Sequence, residues 1–110
     1  MILGNFEIEF KGKISYFKKR EIKKKLKPFI KQIKTIEVVL VGDNKILLHE
    51  LADCVKIFEK LSENNPKILA DVEFDNTFAP EQRKLKISIS DNDTDFKESF
   101  FPSGGFPEDI

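Results

Sequence analysis

The sequence predicts an α/β (α+β) fold, a two-layer sandwich in which a mixed four-stranded sheet carries two helices on one face. Three observations predict it: a nearly unbroken apolar run from Ile36 to Val41, two segments of helical periodicity, and three segments in which apolar and polar residues alternate. The order along the chain is β-α-β-α-β-β, and right-handed crossover connections place both helices on the same side of the sheet.

The first part of the chain supplies one strand and one helix. Apolar and charged residues alternate over positions 6–10, which is the period-two pattern of a strand with one solvated face. Ser15 is a suitable N-cap for a helix whose apolar stripe includes Ile22 and Leu26. We expect this helix to end near residue 27, because Pro28 lacks a backbone N–H and its ring crowds the preceding turn.

The central part of the chain supplies the remaining elements. The apolar run at Ile36–Val41 predicts a strand that is buried on both faces or lies in the centre of the sheet. A strongly amphipathic pattern predicts the second helix from about Leu47 to Leu61. Two alternating segments, 68–74 and 85–89, predict half-buried strands, and the polar connection at 76–84 predicts that they form an antiparallel hairpin.

Length and charge limit the possible organisation. The 110 residues suffice for one core, so we expect a single domain over 1–95, followed by a Phe/Pro/Gly-rich tail over 96–110. Nineteen basic residues balance nineteen acidic ones, but the charges are segregated along the chain. Basic residues dominate 18–34, whereas acidic residues dominate 71–110. Because the total charges balance, the whole molecule has no strong electrostatic field. Their segregation along the chain instead favours local, charge-driven contacts with a partner.

Few residues are arranged for catalysis or for metal binding. Cys54 is the only cysteine, so no disulfide can form within the chain, and its place on an apolar helical side indicates a core residue. His49 stands beside Glu50 without a nucleophile in view, which favours a surface or capping role. We therefore expect no catalytic residue, no metal and no cofactor.

No segment has the roughly 18 apolar residues that span a bilayer, and we expect a cytoplasmic protein without a membrane partner.

The segment from Ile36 to Ser90 resembles the C-terminal domain of the FtsZ/tubulin family of cytoskeletal GTPases. The resemblance lies in the order of the elements IEVVLVG, DNKILLHEL, ENNPKILADVEFD and APEQRKLKISIS, and upstream the segment KISYFKKREIKKKLKPFIKQ resembles the preceding strand and helix. The family's glycine-rich phosphate loop has no counterpart in this sequence. The resemblance therefore implies the part of the family's fold that does not bind nucleotide, and it transfers no catalytic residue.

Our leading hypothesis is a noncatalytic protein-protein interaction or assembly module, whose partner is another protein or a second copy of the chain. The candidate partner-binding residues are the basic side chains of the first helix and the phenylalanines of the tail: Lys19, Arg20, Lys23, Lys24, Lys27, Phe100, Phe101 and Phe106. The tail either folds back on the domain or acts as an aromatic peptide for a partner.

Two alternative functions remain open from the sequence. The lysine-rich first helix can neutralise phosphates, which is typical of a nucleic-acid-binding protein. The same two-layer plan is also similar to small chorismate mutases, which implies a small-molecule binder or enzyme with a site at an oligomer interface. In that case the residues of the site are Arg20, Lys23 or Arg83.

Overall fold

The computed structural model describes residues 2–61 and 66–92. Its elements are two helices, one short 3-10 helix and four strands: β1 (Ile2–Lys11), α1 (Tyr16–Leu26), a 3-10 turn (Lys27–Phe29), β2 (Thr35–Gly42), α2 (Leu48–Leu61), β3 (Lys67–Phe74) and β4 (Gln82–Ser90). The predicted order and the mixed four-stranded sheet are confirmed. Residues 96–110, which the sequence assigns to a tail, lie outside the described residues, and the boundary at residue 95 stays a prediction.

The strands lie in the order β1-β4-β2-β3, so β4 is inserted between β1 and β2. β4 is antiparallel to both neighbours, whereas β2 and β3 are parallel. It follows that β1, β2 and β3 all run in one direction and β4 runs against them. The three parallel strands therefore share one carboxyl end, and α1 and α2 both begin near that end of the sheet.

The predicted hairpin between β3 and β4 is wrong, because β2 lies between them. β2 is apolar on both faces and is largely buried, so pairing on both of its edges protects it from solvent. β3 leaves Asp71, Glu73 and Phe74 exposed, which suits an edge strand. The connection crosses the end of β2, where the Asp75 N–H donates a hydrogen bond to the Gly42 carbonyl at 2.7 Å.

Both helix starts follow local sequence signals. The Ser15 hydroxyl caps α1 by accepting a hydrogen bond from the Lys18 N–H at 3.3 Å, so the predicted N-cap is confirmed. α1 ends at Leu26 and continues as the 3-10 turn that contains Pro28, as the proline predicts. At α2, the Glu50 carboxylate accepts from the Leu47 N–H at 3.1 Å, which is one half of a capping box.

The hydrophobic core lies between the helices and one face of the sheet. Each helix contributes two buried side chains, the segment before β2 contributes one, and the strands contribute the rest: Ile22, Leu26, Cys54, Phe58, Ile33, Ile8, Ile36, Val38, Leu40, Leu85, Ile87 and Ile89. The prediction that Cys54 belongs to the core is confirmed, since it is only 3% exposed. Phe74 lies on the side of β3 that faces the core, but its side chain is 60% exposed because it lies at the end of an edge strand.

The opposite face of the sheet is polar and carries charges of both signs. Lys84 on β4 lies 3.5 Å from the Glu7 carboxylate on β1, and Lys86 lies 3.3 Å from the Glu73 carboxylate on β3. On the same face, partial burial raises the pKa of Glu37, and the nearby Asp71 carboxylate raises it further. Because these positive and negative charges largely compensate one another, this face of the sheet has no strong net charge.

Candidate functional site

An open groove of about 1180 Å³ runs between α1 and α2 above the sheet. We call it the basic groove, because its lining includes eight Lys or Arg residues and three Asp or Glu residues. The basic residues are Lys13, Lys19, Arg20, Lys23, Lys24, Lys27, Lys56 and Lys60, and the acidic residues are Glu21, Glu50 and Asp53. This is the largest concentration of one sign of charge that we identify among the described residues.

The helical repeat of α1 places its cations along one wall of the basic groove. Lys19, Lys23 and Lys27 are spaced four residues apart, and Arg20 and Lys24 form the adjacent row with the same spacing. The row of Lys19, Lys23 and Lys27 flanks the buried stripe of α1, and the row of Arg20 and Lys24 lies beyond it, so the apolar residues pack on the sheet while the cations border the opening. All five predicted basic residues therefore lie together, as the sequence suggests.

These five cations are exposed and lack acidic partners. Within residues 2–61 and 66–92, the ion pairs within 4.0 Å involve Arg83, Lys84 and Lys86, but none of the five. Arg20 lies over the ring of Tyr16, with 5.8 Å between the guanidinium carbon and the ring centroid. The charges of this wall are thus available to a bound molecule.

The interior of the groove is apolar. Leu40 of β2 and Cys54 of α2 are buried residues that reach its lining. Half-buried Phe10, Ile14 and Ile57 extend the apolar surface from β1, from the loop after β1 and from α2. A cationic border above an apolar floor suits a ligand that combines negative charge with hydrophobic groups.

Exposed apolar side chains lie at the starts of both helices, and sequence reasoning missed them: Tyr16 and Phe17 at α1, Leu47 and Leu48 at α2. Phe17 is 77% exposed and Leu48 is 81% exposed. The Tyr16 and Phe17 rings pack edge to face with 5.9 Å between their centroids. A sequence signal existed for α1: these two aromatic residues precede Ile22 by five and six positions, whereas residues of one helix face recur every three or four.

Arg83 belongs to an internal ion-pair cluster that shares Glu50 with the lining of the groove. Its side chain donates from Nε to Glu50 at 2.9 Å, and its Nη1 lies 3.4 Å from the Asp43 carboxylate. Gly42 leaves room for this arrangement, because a Cβ there would lie 2.8 Å from the Arg83 Cδ atom. The residue is 4% exposed, and its grouping with Arg20 in an interfacial small-molecule site stays a prediction.

The electrostatics of the titratable groups beside the groove do not resemble a catalytic dyad. Burial alone would raise the pKa of Glu50, but hydrogen bonds from Arg83 and from the Leu47 N–H outweigh it and lower that pKa. Both Glu50 oxygens are therefore engaged next to His49. Burial, reinforced by Asp53 and Glu50, raises the pKa of the Cys54 thiol to about 12, so the thiol is protonated at neutral pH.

The other predicted site residues and metal ligands can be placed only in part. Phe100, Phe101 and Phe106 lie outside the described residues, so their predicted roles stay predictions. In the portions of the chain that the structure describes, no group of three His, Cys, Asp or Glu side chains is arranged to hold a metal ion. Within those same portions, no helix combines the length and apolar composition needed to cross a bilayer.

Comparison with known proteins identifies the fold. No protein-family model matches the chain, and no curated protein matches it. A solved structure of an FtsZ mutant from M. jannaschii superposes with a TM-score of 0.58 and 13% sequence identity over 78% of this chain. The fold resembles that of the FtsZ C-terminal domain. The resemblance expected from the sequence is thereby confirmed at the level of the fold.

A second solved structure, an empty FtsZ dimer from M. jannaschii, superposes with a TM-score of 0.51 and 14% identity over 80% of this chain. The chain spans only 26% and 29% of the two FtsZ chains that it matches. At these identities the likeness to FtsZ concerns the fold, and the properties of the basic groove must be argued from its own residues.

Proposed function

We propose that this protein is a noncatalytic interaction module that binds an acidic, aromatic segment of a protein partner in its basic groove. The observation that carries the proposal is the set of five exposed cations of α1, which lie in two rows beside an apolar floor and have no acidic partner among the described residues. Such a surface attracts carboxylates at its border and shelters aromatic side chains below them. The proposal includes a cytoplasmic location, where the single cysteine stays reduced.

The dimensions of the groove support a peptide rather than a metabolite. Pockets for small molecules usually have volumes of about 300–1,000 Å³ and enclose most of the ligand. The basic groove is larger, at about 1180 Å³, and it is open along the two helices. An extended or helical segment of another protein would contact both helices at once and leave its ends in solvent.

The chemistry of the lining supports binding without catalysis. The side chains that face the groove are chiefly ammonium, guanidinium and hydrocarbon groups. The Cys54 thiol, the most nucleophilic group nearby in principle, has its pKa raised to about 12 and is buried. Nucleophilic catalysis needs an activated nucleophile, and a buried, protonated thiol is not one.

The proposal can be tested with a short fluorescein-labelled peptide built from Glu, Phe and Ser. We expect the combined variant Lys23→Glu/Lys24→Glu to weaken binding at least ~10-fold, which corresponds to about 1.4 kcal/mol. The matched control is Lys45→Glu/Lys67→Glu, which changes the same number of charges outside the groove. Fluorescence anisotropy in a titration measures both. Equal losses in the two variants would show that net charge, and not the groove, governs binding.

A peptide in which Ser replaces every Phe tests the role of the apolar floor. We expect weaker binding of this peptide to the natural protein at unchanged charge, because the floor then loses its hydrophobic partner. Equal affinity for the two peptides would contradict the proposed recognition of aromatic groups and would reduce the site to a nonspecific polycation.

A single-stranded nucleic acid is a second candidate ligand, and one observation favours it. The exposed pair Tyr16 and Phe17 stands next to the cations of α1, with Arg20 over the Tyr16 ring. Proteins that bind single strands combine a basic surface with aromatic rings on which bases stack, and each stacked base contributes about 1–3 kcal/mol.

The same titration with a labelled oligonucleotide separates the two candidates. If the ligand is nucleic acid, Tyr16→Ala/Phe17→Ala lowers its affinity, and the logarithm of the binding constant falls linearly with the logarithm of the salt concentration. If the ligand is an acidic peptide, the oligonucleotide binds more weakly than the Phe-containing peptide at the same ionic strength. Tighter binding of the oligonucleotide would replace our first proposal by the second.

A further inference from the structure

We propose that the protein's own C-terminal segment, residues 93–110, occupies the basic groove within the same molecule. A partner must then displace this segment to reach the groove. The inference rests on the proposed function, because it assigns a first occupant to the same site. Three properties carry it: the composition of the segment, the place where the described chain ends, and the length of the tether.

The composition of the segment complements the groove in charge and in apolar character. Over residues 93–110 the acidic side chains are Asp93, Asp95, Glu98, Glu108 and Asp109, and Lys97 is the only basic one. The same segment holds Phe96, Phe100, Phe101 and Phe106. It thus combines carboxylates with aromatic rings, which is the combination that a cationic border and an apolar floor would bind.

The described chain ends near the end of the groove that contains Lys27 and Lys60. β4 runs against the parallel strands, so Ser90 lies at the end of the sheet opposite to the helix starts. Both helices run back towards that end, which brings Lys27 and Lys60 there. A hydrogen bond of 2.8 Å from the Lys34 N–H to the Ser90 carbonyl ties the chain after α1 to the end of β4. The segment therefore leaves the domain close to these cations.

The length of the segment is sufficient for this contact. Fully extended, residues 93–110 span up to ~60 Å, whereas α1 with its 11 residues is only ~17 Å long. A segment joined covalently close to its binding site has an effective concentration in the millimolar range. A second copy would reach that concentration only at millimolar protein, so we assign the occupant to the same molecule.

Zero-length carbodiimide cross-linking tests the contact directly in the full-length protein. This reagent joins a carboxylate to an amine only when they touch, and peptide mapping by mass spectrometry identifies the pair. We expect links from the carboxylates of residues 93–110 to the groove lysines Lys23, Lys27 and Lys60. The controls are Lys67, which lies at the same end of the sheet but outside the groove, and Lys45 at the other end. Links to Lys67 that equal those to the groove would overturn the proposal.

An equal mixture of unlabelled and isotope-labelled protein identifies the source of each cross-linked segment. Links within one isotope form alone, at dilute protein, support occupancy within the molecule. Links that combine the two forms assign the occupant to a second copy and overturn the proposal as stated. Absence of any link between the segment and the groove overturns it as well.

Competition provides a second measurement in the full-length chain. The variant Phe100→Ser/Phe101→Ser removes aromatic groups from the segment and leaves its charge unchanged. If the tethered segment covers the groove, this variant binds the added Glu/Phe peptide more tightly, by ~10-fold for a segment of ~100 μM affinity at ~1 mM effective concentration. Unchanged affinity would refute coverage by the segment.

The two proposals fail in different ways. If Lys23→Glu/Lys24→Glu weakens peptide binding while the tail variant behaves like the natural protein, the groove binds peptides but the segment does not occupy it. If neither variant changes the affinity for the peptide, the proposed function of the groove itself is refuted, whatever the cross-links show.

Discussion

The two helices lie on the same face of one sheet, but they use their sequences differently. α2 is strongly amphipathic and buries Cys54 and Phe58 in the core. α1 is much more polar, buries Ile22 and Leu26, and exposes a row of cations on the side of the groove. α2 therefore chiefly stabilises the fold. α1 is attached to the core by two buried side chains, and it exposes charged side chains that the fold does not require.

The charge distributions of the two helices also differ, and that of α2 is the more favourable for helix stability. α2 has Glu50 in its first turn and Lys60 in its last turn, which matches the helix dipole at both ends. α1 also has basic residues in its last turn, but it has no acidic residue in its first turn, and its cations repeat at spacings of four residues. Like charges at that spacing destabilise a helix by about 0.2–0.5 kcal/mol per pair. This cost is consistent with a role for the α1 cations outside the fold.

Truncation of the core side chains should show the largest difference between the helices. We expect Phe58→Ala in α2 to lower the free energy of unfolding by about 3–5 kcal/mol, since it leaves a cavity beneath the helix. Both Phe58 and its matched counterpart in α1, Ile22, are 0% exposed. Ile22→Ala removes a smaller side chain and should cost about 2–4 kcal/mol. Urea denaturation followed by circular dichroism measures both, and a larger loss at Ile22 would reverse the comparison.

The helices, the central strand and the cationic wall could be predicted from sequence because their signals are local. Apolar periodicity gives the helix faces, Ser15 gives the start of α1 and Pro28 gives its end. The position of β4 depends on which strand edges compete for pairing, and the polar connection after β3 wrongly favoured a hairpin. A connection of residues 75–81 is long enough to cross one strand, which needs a step of about 10 Å in the sheet.

The ion-pair cluster around Arg83 also could not be predicted from the sequence, although the sequence does indicate that Arg83 faces the core. Arg83 has the same phase as Leu85 and Ile87, so it must face the core layer. Its partners, Asp43 and Glu50, are separated from it by 40 and 33 positions. No local pattern relates such distant residues, so the ion pairs appear only once the topology is known.

Removal of the Arg83 guanidinium tests the support for the start of α2. We expect Arg83→Met to destabilise the protein by about 2–4 kcal/mol, because two carboxylates lose their partner. The loss falls short of the largest values because the Asp43 and Glu50 side chains are 14% and 22% exposed and keep some contact with water. Guanidinium chloride denaturation measures the effect. A change below 0.5 kcal/mol, typical of ordinary surface positions, would show that the cluster contributes nothing.

The pH dependence of stability should report the same cluster. The folded-state pKa of Glu50 is lowered, so its ionised form stabilises the fold above its unfolded pKa, and this contribution is lost as the pH falls through the folded pKa. Between about pH 7 and pH 3, which brackets ordinary carboxyl titration, Glu50→Gln should lose less stability than the natural protein. Parallel denaturation curves at the two pH values measure the difference. An identical pH dependence would contradict the assignment.

Loss of the helix cap should have a smaller effect, confined to α1. Ser15→Ala removes the acceptor for the Lys18 N–H and should cost about 1 kcal/mol. The matched variant Ser15→Asp keeps an acceptor and adds a negative charge where α1 has none, so it should be at least as stable as the natural protein. Thermal denaturation compares the three proteins. If Ser15→Asp proved as unstable as Ser15→Ala, the cap would not be the cause.

Reversal of a groove charge should change stability least. Lys23 is exposed and lies four positions from both Lys19 and Lys27, so Lys23→Glu replaces two repulsive pairs by two attractive ones, each worth about 0.2–0.5 kcal/mol. The substitution also places a negative charge in the last turn of α1, which opposes the helix dipole by about 0.3–1 kcal/mol. We therefore expect an unfolding midpoint close to that of the natural protein together with weaker binding of the acidic peptide. A neutral control, Lys23→Gln, should give an intermediate affinity. If the reversal lowered stability by more than about 1 kcal/mol, beyond the dipole effect, the α1 cations would support the fold, and the distinction between the two helices would be lost.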